Sequence, residues 1–375
     1  MDAQQIISII IFVVTMAAIM TEKVHRALAA VAGATLLLAC KILDVESLAS
    51  YIDFNTVGIL IGMMLFVSVV KISGLFEYIA IKAAKLSKGK PWIIMILFFI
   101  ITAVLSAFLD NVTTVLLVGP MTIAVTEMLG LNPVPFLITQ ILASNVGGTA
   151  TLIGDPPNIM IGSAAGLSFN DFIVNTGVPA VIIGVLTLFC FYFIYGRKLH
   201  VTPEKMAAVI LFLSHGKADP EEIIATVEWP TIVFFVGLFG VVGGLQQTGV
   251  IDMMAKFLIN VTQGNDLLML LLILWVSAIL SSFLDNIPFV ATLIPLIITM
   301  GKSGMDIAPL WWALSLGACL GGNGTLVGAS ANVVLSGISK RDGHEITFGS
   351  YFKIGFPLMI MSIIVSTAYL VIMYE

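Results

Sequence analysis

The stretch Ser106-Ala-Phe-Leu-Asp110-Asn111 returns 175 residues later as Ser281-Ser-Phe-Leu-Asp285-Asn286. Each copy lies at the centre of an apolar segment, 92–127 and 267–300, that is too long for one membrane crossing of about 20 residues. A carboxylate inside such a segment is costly and marks function by default. Asn beside it brings both a donor and an acceptor. The plain alternative is that each Asp only caps the helix that follows it, which Asp does well. Recurrence in both halves, with Asn each time, favours a functional role.

Working outward, the repeat extends well beyond these tips. Pro120 maps to Pro295, and Asp44, Glu46, Thr56, Gly62 and Gly74 map to Asp219, Glu221, Thr231, Gly237 and Gly249, all at the same offset. Downstream, Gly147-Gly-Thr-Ala-Thr-Leu-Ile-Gly154-Asp-Pro-Pro-Asn158 pairs with Gly321-Gly-Asn-Gly-Thr-Leu-Val-Gly328-Ala-Ser-Ala-Asn332 at an offset of 174. Gly-rich runs of this kind interrupt a helix, and Asp155-Pro156-Pro157 breaks one outright. A Gly-rich packing face explains the glycines alone, but not the clustered Thr, Asn and Asp. Broken helices in membranes expose carbonyls to cations and helix N-termini to anions.

The whole chain fits a polytopic helical membrane protein. Of 375 residues, 59% are hydrophobic and 10% charged, and the mean hydropathy is +1.09. A soluble globule, a disordered chain and a nucleic-acid binder are excluded by those values. The net charge of -5 says little about partners, and Cys40, Cys190 and Cys319 read as packing residues rather than a disulfide or metal framework. Single spans are expected at 4–20, 27–42, 56–81, 172–195, 231–259 and 351–374, with broken helices at 135–165 and 309–338. The first segment lacks the basic flank and cleavage site of a secretory signal.

Basic residues gather in loops 22–26 (Lys23, Arg26), 82–90 (Lys82, Lys85, Lys88, Lys90), 196–205 (Arg197, Lys198, Lys205) and 340–341 (Lys340, Arg341). They fall on one cytoplasmic side only if 92–127 and 267–300 enter and leave by the same face as re-entrant hairpins. Both termini then lie outside, the cell membrane is the expected location, and the two halves have opposite orientation, the pattern of secondary transporters. The expected organisation is a first repeat over 1–195, a cytoplasmic connection over 196–228, and a second repeat over 229–375. The connection holds an apparent truncation. The partner of 27–42 should fall near 202–217, where only 206–213 is apolar, about 12 Å of helix. Two spans are missing between 205 and 215.

The candidate substrate or ion site comprises Asp110, Asn111, Thr149, Thr151, Asp155, Asn158, Asp285, Asn286, Asn323, Thr325, Ser330 and Asn332. A bound Na+ would take Asp110, Asn111, Asp285 and Asn286 as ligands; no other cofactor is called for. Lys71 reads as a snorkelling residue or a partner of Glu77, and Trp311 and Trp312 as interface anchors. His25, His200, His215 and His344 fall in loops, which leaves no histidine relay in the core. No HExxH, GxSxG or P-loop signature is present, so an enzyme is not expected.

The motifs around Asp110-Asn111, Gly154-Asp-Pro-Pro-Asn158, Asp285-Asn286 and Gly321–Asn332 resemble the ion-transporter superfamily. Within it they are most similar to the melanosomal P protein and its prokaryotic relatives, grouped with arsenite-pump membrane proteins. The resemblance implies a homodimer in lipid, a fixed scaffold, and a mobile transport domain that carries both hairpins and both broken helices as an elevator. The sodium-coupled dicarboxylate branch carries Ser-Asn-Thr at its hairpin tips, where this chain has Asp-Asn-Val and Asp-Asn-Ile. Like charges at about 4 Å and an effective dielectric near 20 repel by roughly 4 kcal/mol, which disfavours a citrate-like anion. Aspartates suit Na+ or H+, or a neutral oxyacid such as arsenous acid. The leading expectation is an H+- or Na+-coupled secondary transporter of a small inorganic ion or oxyacid, with arsenite-type export as the specific case. A Na+/H+ antiporter, an anion channel and a sodium-coupled citrate carrier are the alternatives.

Overall fold

Local chemistry sets where the helices begin. The computed structural model describes residues 1–21, 23–72, 78–79, 82, 85–199, 201 and 228–374, without the side chains of 70–72. Among these, all regular structure is helical. The first half contains α1 (Ala3–Met20), α2 (Arg26–Ala39), α3 (Val45–Tyr51), α4 (Phe54–Ile72), α5 (Pro91–Phe108), α6 (Asn111–Met128), α7 (Val134–Thr149), α8 (Pro156–Ala165) and α9 (Val178–Ile194). The second contains α10 (Trp229–Gln247), α11 (Val250–Val261), α12 (Asp266–Phe283), α13 (Asn286–Lys302), α14 (Ala308–Gly321), α15 (Ser330–Arg341) and α16 (Phe348–Tyr374). Asp2 with Gln5 and Asp44 with Ser47 close capping boxes on α1 and α3. Proline opens α5 and α8, where a missing N–H costs nothing.

Among the described residues, seven helices are long and apolar enough to cross a membrane, and eight if the bent pair Val45–Tyr51 and Phe54–Val69 counts as one. The protein is a multi-pass membrane protein. Exposed apolar side chains such as Ile10, Val13 and Val14 on α1 and Val181, Val185 and Phe189 on α9 suit contact with lipid.

Helix bounds follow the sequence offset. α5 and α12, α4 and α10, and the starts of α6 and α13 are each 175 residues apart. Both long apolar segments are two helices with a break at the Asp-Asn pair. Leu109 (φ -119°, ψ 163°) and Leu284 (φ -117°, ψ 146°) are extended, and the next Asp begins a new helix. Both glycine-rich segments are also broken, between α7 and α8 and between α14 and α15. There Asp155 (φ -145°) and Ala329 (φ -150°) are extended immediately before the second helix.

α5 packs on α7, α12 on α14, and α2 on α10. These pairs approach closely because one partner is glycine at the crossing. A Cβ on Gly147 would run into the Ala103 carbonyl, and one on Gly321 would lie 2.6 Å from the Ala278 carbonyl oxygen. Ala103 and Ala278 are again 175 apart.

Three expectations change. The segment 231–259 is not one span. Gly249, with φ +74°, turns the chain between α10 and α11 in the left-handed conformation that glycine adopts at little cost. Residues 45–51, expected as loop, form α3. Trp311 and Trp312 are not interface anchors: they are 5% and 4% exposed, and Trp312 meets Phe172 edge-on at 5.2 Å. Their helix starts at the exposed Ala308, and from Leu310 onward it turns into the core, so both indoles serve packing. His25 caps α2, and His344 lies in the turn after α15 beside Glu127 and Asp342. His200, His215, Glu77, the Lys71 side chain and the truncation expected at 205–215 lie outside the described residues.

Candidate functional site

The two Asp-Asn breaks are the start of the site. Asp110 Oδ1 accepts from the Thr113 N–H at 2.8 Å, and its Oδ2 accepts from the Thr113 hydroxyl at 2.5 Å. Asp285 Oδ1 accepts from the Ile287 N–H at 3.1 Å, while its Oδ2 accepts from the Ser330 hydroxyl at 3.0 Å. Both aspartates therefore cap helices, as their plainer reading requires. Among the described residues, only Asp285 of the two shares its outer oxygen with a residue of another segment and with a cation. Arg26 Nη1 stands 4.0 Å from that oxygen.

Both tips meet one cavity of about 640 Å³. Its wall includes Asp110, Asn111, Asp155, Asn286 and Ser330 among the residues expected from sequence, and adds Arg26 and Glu228. Asp285 faces the neighbouring cavity of about 810 Å³, which is apolar apart from Asp285, His25, Arg26, Ser330 and Thr292. Arg26 and Ser330 line both cavities and stand on the wall between them.

The halves interlock beneath the tips. Asn286 Nδ2, on the second tip, donates to Asp155 Oδ2 of the first broken helix at 3.1 Å. Asn111 Nδ2, on the first tip, donates to Asn145 Oδ1 at 3.3 Å. Asn145 Nδ2 in turn donates to Asn323 Oδ1 at 2.9 Å and to Asn332 Oδ1 at 3.0 Å. Cys319, 174 residues after Asn145, sits 3.4 Å from Asn158 Oδ1, which also accepts from Ser315 at 2.7 Å. So Asn332 is served from the first half, and Asn158 from the second.

The other expected residues hold the breaks open. Asn158 Nδ2 donates to the carbonyls of Gly148, Thr149 and Thr151, and Asn332 Nδ2 to those of Gly322 and Thr325. The Thr151 hydroxyl donates to the Ala107 carbonyl, and the Thr325 hydroxyl to that of Ser282, tying each break to its hairpin. Thr149 donates back to the Asn145 carbonyl. Thr149, Thr151, Asn158, Asn323, Thr325 and Asn332 are buried and are not among the residues that line the cavity. Thr151, Asn158, Thr325 and Asn332 satisfy backbone groups at and beside the breaks, which hydrocarbon surroundings would otherwise punish, while the Asn323 carboxamide accepts from Asn145. The Asn323 amide nitrogen is buried without a hydrogen-bond partner among the described residues.

Sequence reasoning missed Asn145, Arg26 and Glu228. Asn145 is a buried polar residue two positions before Gly147, a signal that was legible but overshadowed by the glycines. By sequence Arg26 is one of the cytoplasmic loop charges. Its side chain instead turns inward, with Nη2 3.2 Å from Thr231 Oγ1 and the guanidinium 5.3 Å from the Phe234 ring centre. Glu228 precedes Trp229-Pro230 and accepts from Thr231 at 3.1 Å. The lining thus carries Asp110, Asp155 and Glu228 against Arg26, with Asp285 at the shared wall. Such a surface attracts cations and opposes polyanions.

A family model described as "Citrate transporter" (CitMHS) matches residues 16–317. A 46 kDa membrane protein of Mycobacterium leprae (strain TN) is 36% identical over 423 residues, covering 98% of this chain and 99% of that protein. An uncharacterized transporter of Mycobacterium tuberculosis (strain ATCC 25618 / H37Rv) is 37% identical over 424 residues, with 98% and 99% covered. The P protein of Homo sapiens is 31% identical over 491 residues, covering 95% of this chain and 58% of that protein. Since 98% of 375 residues is about 368, about 55 of the 423 positions aligned with the M. leprae protein stand opposite gaps in this chain. With its model matched over most of the sequence and its relatives aligned nearly end to end, this chain belongs to the CitMHS family of transporters.

Proposed function

We propose that this protein is a secondary active transporter, coupled to H+ or Na+, that moves a small inorganic ion or a neutral oxyacid, with arsenite-type export as the specific case. The observation that carries this reading is the cavity of about 640 Å³ where both tips meet, lined by Asp110, Asp155 and Glu228. A coupling cation binds among these carboxylates and Asp285 on the adjoining wall, and Asn111 and Asn286 supply amide oxygens. In this reading 1–195 and 229–375 are inverted repeats. The hairpins and broken helices move together as an elevator against a scaffold that includes α1, α2 and α10. The protein acts as a homodimer in the cell membrane with both termini outside.

A sodium-coupled citrate carrier is the second reading, favoured by the description of the family model and by the guanidinium of Arg26 at the cavity wall. Charge weighs against it. A tricarboxylate would face three lining carboxylates against the single guanidinium of Arg26. Proteoliposome flux separates the readings. Arsenite or antimonite movement driven by a proton or Na+ gradient supports the proposal; gradient-driven citrate uptake without it replaces the proposal. Na+/H+ exchange with no other substrate would leave the antiporter. Currents far above about 10³ ions per second would indicate a channel, because domain motions take microseconds to milliseconds.

A further inference from the structure

We propose that Arg26 is a tethered cation, occupying the place at Asp285 that a transported cation takes, so that ion binding and release of Arg26 are one exchange. This rests on the reading of the site as a cation site.

Arg26 opens α2, a helix held to α10 where Ala30 meets Gly237. Its side chain leaves that body and reaches the other. Nη1 lies 4.0 Å from Asp285 Oδ2 on the second hairpin and donates to Ser330 Oγ, at 3.3 Å, on the second broken helix. Nη2 donates to Thr231, whose hydroxyl donates to Glu228. The pair is loose. A committed Arg–carboxylate pair is bidentate at about 2.7–2.9 Å, whereas here one oxygen faces one nitrogen at 4.0 Å. It is also incompletely buried, with the two side chains 32% and 21% exposed. A loose, partly exposed ion pair can be replaced by another cation at modest cost, which a buried bidentate pair cannot.

The surrounding charges favour exchange. Asp110 before α6, Asp155 before α8 and Glu228 before α10 face the adjoining cavity, and Lys23 and His25 flank Arg26 in the turn before α2. A cation arriving among the carboxylates is drawn toward Asp285, and the guanidinium falls back on Thr231, Glu228 and the Phe234 face. Because Arg26 spans two packing bodies, the same release frees one to move against the other.

The test uses the full chain in lipid nanodiscs. Binding of radioactive 22Na+ and the proton titration between pH 5 and pH 9 are measured for wild type, Arg26→Gln, Arg26→Lys, Asp285→Asn and the Arg26→Gln/Asp285→Asn double variant. Removing the tethered charge tightens binding of the coupling cation about fivefold, the worth of a partly exposed ion pair. For Na+ this is a lower Kd; for H+ it is a half-protonation pH raised by about 0.7 unit. Arg26→Lys keeps a tethered charge and stays near wild type, which also controls for folding. In the double variant the gain disappears. If Arg26→Gln leaves both cations unchanged or weakens them while Asp285→Asn still loses binding, Arg26 is a structural tie and the proposal is overturned with the ion site intact. If Asp285→Asn binds both cations as wild type does, the ion site at Asp285 falls first, and the proposal with it.

Discussion

Replacing Asn145 by alanine removes the amide on which both halves converge. Three buried hydrogen bonds go at once: the one accepted from Asn111, and those donated to Asn323 and Asn332. Each orphaned buried group costs about 1–3 kcal/mol. Water entering the vacated volume repairs part of the loss, leaving a net of about 3–6 kcal/mol. For a chain of this size, at about 1.5 °C per kcal/mol, the midpoint of thermal unfolding should drop by about 4–9 °C. The assay is tryptophan fluorescence on heating in a mild detergent, with transport of the same preparation measured alongside. Asn145→Cys makes an internal control. Cys319 occupies the corresponding place in the second half and points at Asn158, so a thiol should be tolerated better than a methyl. A drop below about 1 °C for Asn145→Ala would show that the amide cluster carries no net stability, and the interlocking of the halves would need another cause.

Gly147→Ala and Gly321→Ala each press a methyl into the backbone of the facing helix, at Ala103 and Ala278. Each should cost about 1–3 kcal/mol in the same melt, while Gly58→Ala, whose Cβ meets nothing within 4 Å, stays within about 0.5 kcal/mol. Asp110→Asn and Asp285→Asn keep a good helix cap but remove the charge, so unfolding midpoints should hold while gradient-driven flux falls at least about tenfold, the worth of one interaction of about 1.4 kcal/mol; normal flux with unchanged Na+ and pH dependence removes both from the coupling site. Excess citrate should not slow arsenite flux or raise the unfolding midpoint, and competition in either measurement would restore the carboxylate reading.

What the residues alone determine here is local. Apolar length demands crossings, Asp-Asn between two apolar runs demands a break with a capped restart, and Gly-Gly with Asp-Pro-Pro cannot continue a helix. Those signals sit within a few neighbours of the atoms they govern, and the repeat shows them twice. Which break meets which is a different matter. Asn286 reaches Asp155 across 131 residues, Asn145 reaches Asn332 across 187, and Arg26 reaches Ser330 across 304. Nothing near any of these residues announces its partner. The threonines and asparagines of the glycine runs looked like ligands because they are polar and buried. Only packing reveals that most of them are consumed by hydrogen bonds at and beside their own breaks, leaving the open cavity to Asp110, Asp155 and Glu228, two asparagines and an arginine from a distant turn.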